Sequence, residues 1–148
     1  MVVFLSVFLT VIPAPFHATE SDSPASKRPP LLCPVTGKPA QTSFTVAYRG
    51  GKVAFSDKAS LAKFRANPDD YNTMSNLQLV ASGQAKQVAC PVTGEKLHPK
   101  RFLTIQGIRV GFCCLGCLGK VADEKQKEIR LYYVFGNNAF RRGFKMGK

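Results

Sequence analysis

Apolar and polar positions alternate over residues 43–48, where Thr45 and Ala47 separate Phe44, Val46 and Tyr48, and this period of two predicts a strand with one buried face. Arg49-Gly50-Gly51-Lys52 is a hairpin signal, and residues 53–55 form the return strand. Ser56 or Asp57 is suited to cap a helix running to about Ala66, with Leu61 and Phe64 on its inner face. Asn67-Pro68 ends that helix, because a residue before proline avoids the helical region. The same order returns later: a strand over 102–105, a turn at Gln106-Gly107, a strand over 109–112 and a helix from Cys113 to about Lys125. Between the two sets, Leu77, Leu79 and Val80 suit either an alternating segment or a short helix, broken by Ser82-Gly83-Gln84. Beyond the second set, residues 131–135 predict a short strand, Gly136-Asn137-Asn138 a turn, and Phe140 and Phe144 one face of a last helical turn packed on the domain.

The recurrence extends to residue identity. Cys33-Pro34-Val35-Thr36-Gly37 reappears as Cys90-Pro91-Val92-Thr93-Gly94, a shift of 57 residues. At that shift Gly50 falls on Gly107, Val53 on Val110, Phe55 on Phe112, Leu61 on Leu118 and Lys63 on Lys120. The copies part in one respect: Ser56, Asp57 and Ser60 of the first stand where the second has Cys113, Cys114 and Cys117. The reading is an α+β chain of two small repeats, each a cysteine-containing turn, a β-hairpin and an α-helix. A unit this small buries little apolar surface and needs a neighbour or a metal ion to be secure.

The four cysteines of the second copy fall within 28 residues, which argues against cysteine merely as core filler. A turn cysteine brought by a hairpin to cysteines at a helix start is what a small zinc-finger-like site requires. Cys113 and Cys117 share a helix face, as do Cys114 and Cys117. A helix N-terminus favours thiolate, and thiolate clusters select Zn²⁺, Cu⁺ and related ions. Cys90, Cys113 and Cys117 are the first three ligands; the fourth is left open between Cys114, His98, water and an exogenous donor. Zn is the leading ion and Cu(I) the second. A rival use is thiol–disulfide chemistry at Cys114-Leu115-Gly116-Cys117, a Cys-x-x-Cys at a helix start, although the βαβ context of thioredoxin-type sites is missing and Cys90 has no part in it. Cys33 stands alone in the first copy, available for packing or for a disulfide between two copies of the chain.

Charge and termini add less. The net charge is +12, and from Val88 onward there are twelve Lys/Arg against four Asp/Glu. Such a balance serves solubility, or attraction to an acidic partner through the basic C-terminal tail. No aromatic residues interleave with a basic stripe, so nucleic acid is not indicated. Residues 2–12 are apolar and precede Pro13-Ala14-Pro15-Phe16-His17-Ala18, which reads as an export signal over 1–18 and places the protein in a secreted or periplasmic setting. Residues 19–30 read as a disordered Pro/Ser-rich linker, 31–72 as the first repeat, 73–87 as a connector and 88–148 as the second repeat with the basic tail. No nucleotide loop, Ser/His/Asp set or catalytic carboxylate pair is present, so an enzyme is not expected.

These residues resemble a known family. Cys90, Cys113 and Cys117 match the cysteine spacing of YHS and TRASH-type metal-binding domains, and the string from Gly107 to Cys117 is similar to their hairpin-to-helix segment. In the first copy, residues 48–55 and 64–71 match the YHS pattern with serines at the cysteine positions 56 and 60. The Tyr-His-Ser triplet that names the family occurs in neither copy. The resemblance covers roughly residues 31–72 and 88–127. It implies treble-clef-like repeats and a role in heavy-metal sensing, trafficking or resistance. The alternative is a protein-interaction module in which zinc is purely structural.

Overall fold

The computed structural model describes residues 29–147. The expected export signal and nearly all of the expected linker lie outside the described residues. Within them the chain is α+β, with five α-helices and three two-stranded antiparallel sheets. No helix among the described residues is long and apolar enough to cross a membrane.

The first hairpin joins β1 (Gln41–Tyr48) to β2 (Gly51–Phe55), and the later one joins β4 (Phe102–Ile105) to β5 (Ile108–Gly111). Both turn on two residues with positive φ: Arg49 at 52° and Gly50 at 80°, Gln106 at 50° and Gly107 at 77°. That is the two-residue turn whose twist matches the strands, and glycine at its second position carries no Cβ penalty. In β1 the side chains of Phe44, Val46 and Tyr48 are half-buried while Thr45 and Ala47 are exposed, as the alternation predicts.

Helix α1 (Lys58–Ala66) starts on Asp57, whose carboxylate accepts from the Ser60 N–H at 2.7 Å. It buries Phe64 against Phe55, with ring centroids 5.1 Å apart, and stops at Asn67 before Pro68. A single 3-10 turn (Pro68–Tyr71) leads into α2 (Asn72–Ala81), so the connector is mainly helical. Strand β3 (Ala85–Gln87) follows.

Helix α3 (Leu115–Ala122) is shorter than the sequence predicts, because its cap is Cys114 rather than a residue before Cys113. Residues 131–135 are not a strand. They lie in α4 (Lys127–Phe135), where Leu131, Val134 and Phe135 are buried and Tyr132 is exposed. That spacing of three and four is helical, and a short apolar run with aromatic residues misleads toward strand. Helix α5 (Asn137–Gly143) ends one residue before Phe144, which opens β6 (Phe144–Met146). Phe140 and Phe144 therefore do not share a helical face, yet both are buried and their rings stack at 5.4 Å. Strand β6 pairs with β3 in the register Ala85↔Met146, Lys86↔Lys145 and Gln87↔Phe144, so this part of the tail completes a sheet.

One core runs through both halves, from Cys33, Val53, Phe55 and Leu79 to Cys90, Val110, Phe112, Val121 and Phe135. Two side-chain amides, one buried and one half-buried, stitch it. Gln78 of α2 accepts from Ala54 N at 2.7 Å and donates to Ala54 O and Leu32 O at 2.8 Å each. Gln87 of β3 makes the same pair of bonds to Gly111 N and O, at 2.8 Å each. Ala54 and Gly111 are related by the 57-residue shift, so each second strand has its outer edge closed by glutamine rather than by a third strand, with Gln84 adding the same pair of bonds to Lys52 N and O in β2. Asn76 adds a bond from Nδ2 to Phe135 O at 2.7 Å, tying α2 to α4.

Gln78→Ala should leave the Ala54 N–H buried without a partner and lower unfolding free energy by roughly 2–4 kcal/mol. Urea unfolding checks this; a loss below half the lower figure would show that the strand edge does not depend on Gln78.

Candidate metal centre

The turn that carries Cys90 is closed twice: Cys90 N donates to Glu95 O at 2.9 Å and Gly94 N to Cys90 O at 2.7 Å. The β4–β5 hairpin then returns the chain to the same place. His98 N donates to Phe112 O and Phe112 N to Arg101 O, extending the hairpin past β5 and delivering Cys113 beside the turn. Arg101 fixes this exit, its guanidinium donating to Cys113 O at 2.8 Å. One turn into α3, Cys117 points back. The sulfurs of Cys90, Cys113 and Cys117 lie within 4.8 Å of one another, and Cys113 and Cys117 are 3.6 Å apart. Two sulfurs on one tetrahedral zinc are about 3.8 Å apart, given Zn–S bonds of about 2.3 Å. The trio thus stands near ligand spacing, as the sequence predicts for its first three ligands.

The two remaining candidates are placed differently. Cys114 is exposed, and its sulfur caps α3 by accepting from Cys117 N at 3.4 Å. His98 uses Nδ1 to accept from Lys100 N at 3.2 Å. Neither belongs to the convergent group. Cys90 is fully buried, Cys117 nearly so and Cys113 partly exposed, so the group meets solvent on the Cys113 side.

The environment treats Cys90, Cys114 and Cys117 unequally. Burial pushes the Cys90 thiol up, but hydrogen bonds from Cys113 N–H, from the N–H and hydroxyl of Thr93 and from Val92 N–H outweigh it and bring it down to about 7. Burial pushes Cys117 well above its ordinary value, reinforced by hydrogen bonds with Cys114 and Cys113 and by the negative charge of Cys90. Cys114 is lowered, first by the Cys117 N–H that it caps. Of these thiols Cys90 is thus made the more acidic and Cys117 the less.

The first copy reproduces the geometry with hydroxyls in place of two of the three sulfurs. Cys33 N donates to Lys38 O and Gly37 N to Cys33 O, closing an equivalent turn. Thr36 Oγ1 lies 3.0 Å from Ser56 Oγ, as Thr93 Oγ1 lies 3.3 Å from Cys113 Sγ. Ser56 and Ser60 hydroxyls are 3.2 Å apart, matching Cys113 and Cys117. Asp57 takes the place of Cys114 and accepts from both serines. Cys33 is fully buried, which closes it to a disulfide between folded copies. Burial raises its thiol, but hydrogen bonds from Thr36 and Ser56 prevail and bring it down to about 7. Sequence reasoning gives no role to Thr36 and Thr93, although their place in the recurring pentapeptide marks them; each hydroxyl steadies the turn cysteine and its neighbour.

Comparison with protein-family models, curated proteins and solved structures finds no match.

Because Cys33 ionises at about 7 when folded against an ordinary 9.0, the unfolded chain binds the extra proton between those values. Its contribution to stability is present above pH 9.0 and lost as pH falls through about 7. Wild type should gain stability on Cys33→Ser across that window in urea titrations; parallel pH profiles would refute the assignment.

Proposed function

We propose that the chain binds one soft or borderline metal ion, Zn²⁺ first and Cu⁺ second, through Cys90, Cys113 and Cys117. The observation that carries this is the convergence of three sulfurs from a turn, a strand end and a helix within 4.8 Å. Three sulfurs from separate elements at this spacing are the donor set that a soft or borderline cation takes. The fourth position is left to water or to a donor on another molecule, since Cys114 is committed to capping and His98 to the Lys100 N–H. A shell of three thiolates with an open side fits capture and delivery of an ion better than a closed structural site.

On this reading each half is a treble-clef-like unit of YHS/TRASH type, the second active in metal binding and the first a scaffold. In the first, hydroxyls gathered by Asp57 occupy the positions of the sulfurs, and Ser56 and Ser60 are not ligands for a soft ion. The apolar N-terminal stretch supports export, so that the ion is handled outside the cytoplasm. Bound metal would shield the thiolates from oxidation there.

Metal analysis of the purified chain tests the assignment. Wild type should bind one equivalent of Zn²⁺ and Cys33→Ser the same, whereas Cys113→Ser should lose most of it. Equal loss in Cys33→Ser and Cys113→Ser would refute the division between the halves. Cys114→Ser keeps a good N-cap and removes only the sulfur. It should retain the zinc stoichiometry with affinity within about threefold of wild type, a smaller loss than the roughly 10–100-fold that even an outer-shell partner of a ligand costs. A larger loss in competition with a chelator would make Cys114 the fourth ligand.

A further inference from the structure

Beside Val92 of the Cys90 turn lies a cavity of about 160 Å³ lined by residues of α3, α4 and α5. Its chemistry is one-sided. Lys120 of α3 and Arg142 of α5 both line it, with Tyr132, Tyr133 and Asn138 beside them, and no carboxylate does. Neither cation forms an ion pair among the described residues. Lys120 Nζ lies over the Tyr133 ring at 4.7 Å from its centroid. Arg142 donates through Nε to Pro91 O at 3.3 Å, and its stem runs beside Gly94, whose added Cβ would lie 3.8 Å from Arg142 Cδ. The guanidinium is thus fixed at one edge, and its two terminal nitrogens have no acceptor among the described residues.

Two cations facing one small recess repel each other, and nothing on its walls neutralises them. A guanidinium fork, an ammonium, an amide and phenolic hydroxyls together form a donor set matched to an oxyanion. The cavity, about 160 Å³, has room for a single tetrahedral group.

We propose that this recess binds a phosphate-class oxyanion, held by Lys120 and Arg142 with Asn138 and the tyrosines as further donors. The anion would bridge α3, which carries Cys117, to the Arg142 side chain that braces the Cys90 turn. It joins two of the elements that position sulfurs while touching none of the sulfurs. The assignment holds whether or not an ion occupies the cysteines.

The test is titration of inorganic phosphate into the full chain at constant ionic strength, with chloride as the matched salt, followed by NMR of Val92, Tyr132 and Tyr133. Saturable binding is expected, weakened at least tenfold in Lys120→Gln and in Arg142→Lys, and unchanged in Lys86→Gln, which alters an exposed lysine on β3. Both lining variants change exposed side chains, and their amide spectra report directly that they fold. Phenyl phosphate separates two sources of the group: binding equal to phosphate assigns a phosphoryl group on a larger molecule, and binding of phosphate alone assigns the free ion. No saturable binding, or equal weakening by Lys86→Gln and Lys120→Gln, would overturn the proposal, because the response would then belong to the basic surface as a whole.

Discussion

The constraint on which the structure turns is electrostatic. Three sulfurs share a space of 4.8 Å, and they cannot all be charged there unaided. Two unit charges 4 Å apart repel by about 4 kcal/mol at an effective dielectric constant of about 20. The surroundings are asymmetric: N–H groups and the Thr93 hydroxyl bring the Cys90 thiol down to about 7, while burial, first, and the Cys90 charge push Cys117 up. A divalent or soft monovalent cation removes the conflict and displaces the remaining protons, so metal affinity and pH are linked through this trio.

The rest of the fold holds those sulfurs in place. The Cys90 turn is closed by its own backbone and braced from outside by Arg142 and by Gly143, where an added Cβ would fall 2.9 Å from Pro91 Cα. Cys113 is delivered by a hairpin whose outer strand is edged by Gln87. The halves then close around one core, with α2 against β2 and α4. Each half alone is small, and the first shares one buried core with the second. There Asp57 and the hydroxyls of Ser56 and Ser60 satisfy one another, so an equivalent turn-and-helix arrangement persists with no soft-ion ligands beyond Cys33.

Much of this was legible from residue order. The alternation at Phe44, Val46 and Tyr48, the glycines at 50 and 107 and the Asn67-Pro68 stop locate both hairpins and α1, because local chemistry determines them. The cysteine trio follows from the same logic, since a turn, a two-residue hairpin and a helix start leave little freedom in where Cys90, Cys113 and Cys117 meet. What was not legible depends on distant partners. Residues 131–135 form a helix because Leu131, Val134 and Phe135 find a buried face against α2, and the short run itself does not reveal that face. Phe144 belongs to a strand because β3 lies across from it, nearly 60 residues earlier in the chain. The Gln78 and Gln87 clamps are equally non-local: a glutamine in a connector has no signature until the strand edge it closes is present.

X-ray absorption at the zinc edge of the metal-loaded full chain tests the central claim most directly. The account predicts three sulfurs at about 2.3 Å and one nitrogen or oxygen neighbour completing the shell. A shell of four sulfurs would bring Cys114 into the site, and a shell without sulfur would contradict the account entirely.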